Sequence, residues 1–231
     1  MQQEHRKPQL SLYLGSILVA GIVGPLAIQL HEVVGHWFPA KLLGAKNLTI
    51  GYTNVDMGTA EQWPSSKQLP AIAGGPLVTN FSLGAGLFLM KTGNTPLKLV
   101  GFAIINTSYR AFLVIFRQLL GEKSFEFNKG TEPLTRELNL CDESLLAKGL
   151  KIPRPFISVP QVLYTLWVLW EAIKLLPGKN KGLLELTTFS GIILGTLLYI
   201  TRIGPFLWPG QKKVTGLKLL SQKDNLGFLS G

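Results

Sequence analysis

Polar and apolar positions do not alternate along this chain. Apolar residues gather instead into five runs, at 9–30, 69–90, 99–116, 156–173 and 186–207. The first, Gln9 to Leu30, carries no charge at all, and the second stops at Lys91. The third holds Arg110, the fourth Glu171 and the fifth Arg202. About 20 apolar residues in a helix cross the roughly 30 Å of bilayer hydrocarbon. The pattern therefore predicts an all-α polytopic membrane protein with about five transmembrane helices, residues 1–231 forming a single membrane domain. Trp167, Trp170, Tyr199 and Trp208 fall toward run ends, where amphipathic rings sit at the headgroups. The first run follows Arg6 and Lys7 as a signal peptide would. It is longer than a signal core and lacks a small-residue cleavage site before His31, so it reads as a retained anchor.

Two connections are too long for tight turns. Between Lys41 and Lys67, the stretch from Asn47 to Asp56 mixes β-branched and aromatic residues with turn formers. It predicts a short β-strand or hairpin insertion after the first helix. The stretch from Phe125 to Pro155 is the most charged part of the chain, and Pro133 suits the first turn of a short helix around Leu134 to Leu138. Residues 209–231 form a basic C-terminal tail.

Composition agrees with the pattern. Only 16% of the 231 residues are charged and 46% are hydrophobic, against about 25% charged in a soluble domain. The single Cys141 excludes an intrachain disulfide framework. The net charge of +10 would suit nucleic acid, but no soluble basic domain remains to bind it. The lipid bilayer is the better partner, through anionic headgroups and the positive-inside bias. Of the 23 Lys and Arg, seven fall on the face shared by the N-terminus and the loops at Lys91 and Lys174. Fourteen fall on the opposite face and two, Arg110 and Arg202, within runs. Five crossings then place the N-terminus outside and the C-terminus in the cytoplasm.

The chemistry lies where the first run ends, in His31-Glu32-Val33-Val34-Gly35-His36. Two of the three histidines stand with a carboxylate at membrane depth, where ionisable groups are costly and are read first as functional. A histidine pair beside a Glu suits a metal site with a base at hand. A polar helix end hydrogen-bonded at the interface accounts for the same residues. Spacing decides between them. Ligands four apart on an α-helix diverge by about 40°, ligands five apart by about 140°. His31 and His36 reach one ion only across a widened turn, a π-bulge, for which Gly35 offers the room. On an ideal helix Glu32 and His36 share a face instead and form a hydrogen-bonded pair.

Several segments follow in order: Phe38-Pro-Ala-Lys-Leu-Leu-Gly44, Leu48-Thr-Ile-Gly-Tyr52, Ala73-Gly-Gly-Pro-Leu-Val-Thr-Asn80 and Asn128-Lys-Gly-Thr-Glu-Pro133. With the histidine motif they resemble the site-2-protease-like intramembrane zinc metalloproteases, the M50 peptidases, over roughly Gly24 to Leu140. The resemblance implies a Zn²⁺ cofactor held by His31 and His36, with Glu32 as general base. It implies Glu132 as third ligand, with Asp142 as the second choice. It further implies that Gly74, Gly75, Pro76 and Asn80 line the substrate channel, while ordinary small-residue helix packing explains the same glycines. The expected activity is endopeptidase hydrolysis of membrane protein substrates, with the site opening to the cytoplasm. The sequence departs from the family by one extra residue between the histidines and by Glu132-Pro133 where an Asp-Gly pair is usual. The alternative is a catalytically inactive, protease-like scaffold or assembly factor that binds a helical partner.

In the third run Asn106 and Arg110 share a helix face, and Glu171 is the carboxylate at comparable depth. These three are expected to form a structural polar cluster, because a buried arginine needs a partner. The charge split itself is testable. With Cys141 replaced, a cysteine at Gln3 should be labelled only from outside sealed vesicles of native orientation, and one at Ser221 only from the cytoplasmic side. Labelling of the Gln3 site from the cytoplasmic side alone reverses the assignment.

Overall fold

The computed structural model describes residues 7–45, 48–51, 55–56, 65–109, 142–178 and 180–207. The chain opens with α1 (Lys7–Gln29), which runs without a break into a π-helical segment, π1 (Leu30–Trp37), and then α2 (Phe38–Leu42). Two-residue strands β1 (Thr49–Ile50) and β2 (Val55–Asp56) pair antiparallel, with Ile50 opposite Val55. Next come α3 (Ser65–Thr92), α4 (Thr95–Asn106) and a 3₁₀ turn at Thr107–Tyr109. The remainder comprises α5 (Asp142–Leu150), α6 (Pro155–Leu175), α7 (Lys181–Leu198), π2 (Tyr199–Ile203) and α8 (Gly204–Leu207).

Local sequence explains the helix ends. At the exit of α2, Gly44 takes φ 86°, the left-handed conformation that glycine adopts without a Cβ penalty. The Ala45 N–H donates to the Ala40 carbonyl and the Gly44 N–H to the Lys41 carbonyl, the paired bonds of a Schellman end. Asn94 caps α4 by accepting from the Leu97 N–H at 3.3 Å. Asn180 caps α7 by accepting from the Leu183 N–H at 3.0 Å. Each supplies an oxygen to an N–H that has no partner within the helix. The α5 helix begins with Asp142 and Glu143, negative charges that favour a helix N-terminus.

Four of the helical stretches are long and apolar enough to cross a membrane: Leu10–Leu42, Gln68–Thr92, Pro155–Leu175 and Lys181–Leu207. Their outer faces suit lipid. Along α1 and into the start of π1 the residues Leu10, Leu14, Leu18, Ile22, Leu26 and Leu30 repeat every four positions, each about half exposed or more. The inner faces meet in a core of Leu83, Leu87, Met90, Phe102, Ile105 and Val168, drawn from α3, α4 and α6. Lipid tails are as apolar as leucine, so close packing rather than apolar burial holds such helices together. The crossing of α1 with α7 illustrates this. A Cβ built on Gly195 would strike the Gly21 backbone, and one on Gly191 would strike that of Ile17.

The first helix does not stop at Leu30 as the apolar run suggests. It continues to Leu42, because the π-helical ladder carries the chain past the polar residues. The apolar run at 99–116 corresponds to α4 only as far as Asn106, and residues from Arg110 onward lie outside the described residues. So do the short helix expected around Leu134 to Leu138 and the tail 209–231. The α5 helix is not foreseen in the sequence reading. At nine residues it is too short to be stable alone, and it packs on α3 and α6, burying Glu143, Ser144, Leu146 and Ala147.

The α1–α7 contact yields a stability prediction. Gly195→Leu should lower unfolding stability in detergent by about 1–3 kcal/mol, the usual cost of overpacking. Gly182→Ala, where an added Cβ would meet only Asn180 Oδ1 at 3.9 Å, should leave the thermal midpoint unchanged or slightly higher.

Candidate metal centre

The π1 segment brings the two histidines together. Its hydrogen bonds skip one residue more than an α-helix, as in the Phe38 N–H donating to the Val33 carbonyl. The wider turn turns His31 and His36 to the same side, both 6% exposed. Their Nε2 atoms stand 3.1 Å apart, with the rings edge to face at 80°. The N-terminal residue of α5 closes the triangle: Asp142 Oδ2 lies 3.2 Å from His31 Nε2 and 3.3 Å from His36 Nε2.

The outer ring nitrogens fix the tautomers. His36 Nδ1 is 2.8 Å from the Ala71 carbonyl, which can only accept, so Nδ1 carries the proton. His31 Nδ1 is 3.0 Å from Thr79 Oγ1. That hydroxyl gives its own proton to the Gly75 carbonyl at 3.2 Å, and so accepts from His31. Where both rings are neutral, their Nε2 lone pairs face each other and a carboxylate oxygen. Three acceptors at such distances repel unless a cation sits among them, either a metal ion or a proton on Nε2. Holding a ligating histidine by its other nitrogen is the usual support for a metal site.

The spacing suits that cation. Donors at about 2.0–2.1 Å from a tetrahedral zinc stand about 3.3 Å apart, close to the 3.1–3.3 Å seen between these atoms. Among the described residues, His31, His36 and Asp142 are the one group of this composition placed to hold a metal ion. A tetrahedral zinc held by these three groups would take a fourth ligand, a water or substrate position in catalytic zinc sites.

Glycines make the site possible. The helix π1 lies against α3 so closely that a Cβ on Gly35 would come 2.6 Å from the Gly75 Cα. A Cβ on Gly75 would come 2.5 Å from His36 Cε1 and 2.6 Å from His31 Cε1. A Cβ on Gly74 would strike the Gly35 carbonyl. Gly75 thus serves as the floor on which the imidazoles rest, and Gly74 lets the Gly35 backbone come close. Pro76, buried beside them, has no N–H for the Ile72 carbonyl and loosens the ladder next to Ala71. Glu32 is half-buried and lines the same cavity as His31 and Thr79. Asn80 lies one residue beyond Thr79, and its carbonyl accepts a 3.5 Å bond from the Tyr164 hydroxyl.

Other expected site residues fall elsewhere. Glu132, the third ligand implied by the resemblance, lies outside the described residues, as does Arg110. The carboxylate brought to the histidines is Asp142. Glu171 accepts from Lys174 at 2.6 Å within its own helix. Buried Asn106 donates to the Phe102 carbonyl at 3.0 Å. Ala71 and Thr79, which hydrogen-bond the rings, have no role assigned to them by the sequence. A hydroxyl four residues after Gly75 on the same helix face was the available signal for Thr79. Comparison with protein-family models, curated proteins and solved structures returns no match.

The glycine floor can be tested directly. Gly75→Ala should displace both imidazoles and lower metal affinity at least tenfold while leaving helical content intact. Isothermal titration with Zn²⁺, alongside circular dichroism, reads the two effects separately. Unchanged affinity means the rings do not rest on Gly75.

Proposed function

We propose that the protein is a zinc-dependent endopeptidase that cuts polypeptides within or beside the membrane. The observation that carries this reading is the triangle of acceptors, His31 Nε2, His36 Nε2 and Asp142 Oδ2, each imidazole anchored through Nδ1. Two imidazoles and a carboxylate take zinc or ferrous iron. The carboxylate of Glu32, adjacent in sequence to a ligand, favours the hydrolytic zinc reading. When bound, zinc supplies Lewis acidity and a water that ionises near neutral pH. The chain's own groups do the rest. His31 and His36 stay neutral with protons on Nδ1, and Asp142 offsets the charge of the ion. Glu32, in the cavity beside His31, takes a proton on its carboxylate and returns it to the leaving nitrogen as general base and then acid.

The reading extends to the membrane frame. We take the apolar run at 99–116 as a fifth crossing, with the site on the cytoplasmic side, where the basic loops lie. A helical substrate must unwind before its peptide bonds are exposed. The paired strands β1 and β2 follow the metal-bearing helix and offer an edge to which an extended segment can add.

Elemental analysis of protein purified without added metal should find one zinc per chain. His31→Ala, His36→Ala and Asp142→Ala should each lose it. Glu32→Gln should keep the metal and abolish cleavage of a membrane-anchored reporter. Glu132→Gln should keep both, and loss of zinc from Glu132→Gln with retention in Asp142→Ala would return the third ligand to Glu132. Protein free of stoichiometric metal, and unable to bind it at micromolar zinc, would favour the scaffold that binds a helical partner.

A further inference from the structure

A cavity of about 170 Å³ lies against the metal centre, within the bundle. Its wall on α1 is Gly24, Ala27 and Ile28, which share a helix face with His31. From the far side Ile192 and Thr196 of α7 close it, one turn apart. The cavity therefore begins at His31 and Glu32 and extends along α1 away from the helix exit, deeper into the bundle.

Its chemistry is more apolar than its residue types suggest. Thr79 gives its hydroxyl proton to the Gly75 carbonyl. Thr107 gives its own to the Ile104 carbonyl at 2.6 Å. Satisfied on their own helices, these hydroxyls ask little of an occupant. His31 and Glu32 are the only titratable groups among the described lining residues, both at the metal end. A charged occupant further in would be desolvated without a partner among the lining residues. In size, an apolar protein cavity of about 150 Å³ takes up benzene, so this one holds an isobutyl or phenyl group and not an indole.

We propose that this cavity is a specificity pocket. It receives an uncharged aliphatic or phenyl side chain from the substrate residue next to the bond that is cut. The proposal rests on the metal-dependent reading of the site and adds the substrate preference. Ala27 sets the width of the pocket on α1, and a larger residue there fills it.

Simple hydroxamic acids test the pocket without relying on turnover. They bind a metal through two oxygens and leave their alkyl group to find its own place. Protein loaded with Co²⁺ reports their binding through its visible spectrum. In the wild type, 4-methylpentanohydroxamate should bind at least tenfold more tightly than acetohydroxamate, and 4-carboxybutanohydroxamate no more tightly than acetohydroxamate. Ala27→Leu should retain one cobalt per chain, keep its affinity for acetohydroxamate and lose the preference for the branched chain. Equal affinities in the wild type overturn the pocket while leaving the metal centre standing, as does an undiminished preference in cobalt-loaded Ala27→Leu. If Ala27→Leu fails to fold, Ile28→Ala supplies the complementary test. It should widen the pocket and admit 3-indolylpropanohydroxamate, which the wild type excludes, and exclusion by both forms overturns the assignment. Failure of wild-type protein to take up cobalt removes the metal reading and the pocket together.

Discussion

Two imidazole nitrogens and a carboxylate oxygen are held within 3.3 Å of one another, and much of the bundle is arranged around that triangle. The first helix must abandon its α-helical ladder over eight residues to bring His31 and His36 to one side. The α3 helix must approach without side chains at Gly74 and Gly75. A nine-residue helix, too short to persist alone, must be packed in place to bring Asp142 forward. Each feature opposes a local preference: for regular helix, for side-chain bulk at a helix contact, for solvated carboxylate. Structures that go against such preferences at one place do so most often at functional sites.

The supporting contacts are as informative as the three atoms of the triangle. Ala71 and Thr79 lie on α3, two turns apart, and take up the outer nitrogen of one ring each. The same helix thus carries the glycine floor and both ring anchors. Any shift of α3 against π1 would move both imidazoles at once. Rigid placement of this kind is what a preorganised site requires.

Much of this was readable from residue order. Long apolar runs with at most one charge marked the helices, because only a helix lets the backbone of such a run be satisfied in lipid. Five-residue spacing between the histidines left two outcomes, a widened turn that lets both meet or an ideal helix that pairs Glu32 with His36, and the backbone takes the widened turn. The length of the first helix was not readable, because polar residues ended the apolar run while hydrogen bonding did not. The donor of the third ligand was ambiguous for a different reason. Carboxylates at 132 and 142 both follow the third run, and it is the packing of α5 against α3 and α6 that carries Asp142 to the histidines; Glu132 lies outside the described residues. Helix α5 itself gives a weak periodic signal over nine residues and is held by its neighbours. Glu171, judged by depth alone, turned out to have a cation three residues along its own helix.

The unbroken first helix also fixes where water can enter. A rod of 33 residues rises about 50 Å, some 20 Å more than the hydrocarbon it crosses. With Leu10 at one boundary, His31 lies about 31 Å along the axis, level with the opposite boundary. Gly24 lies about 10 Å further inside the oil. The protein thus sets its hydrophilic chemistry at the shoreline and its apolar recess offshore. On the proposed hydrolytic reading, water reaches the histidines from the aqueous phase without crossing lipid.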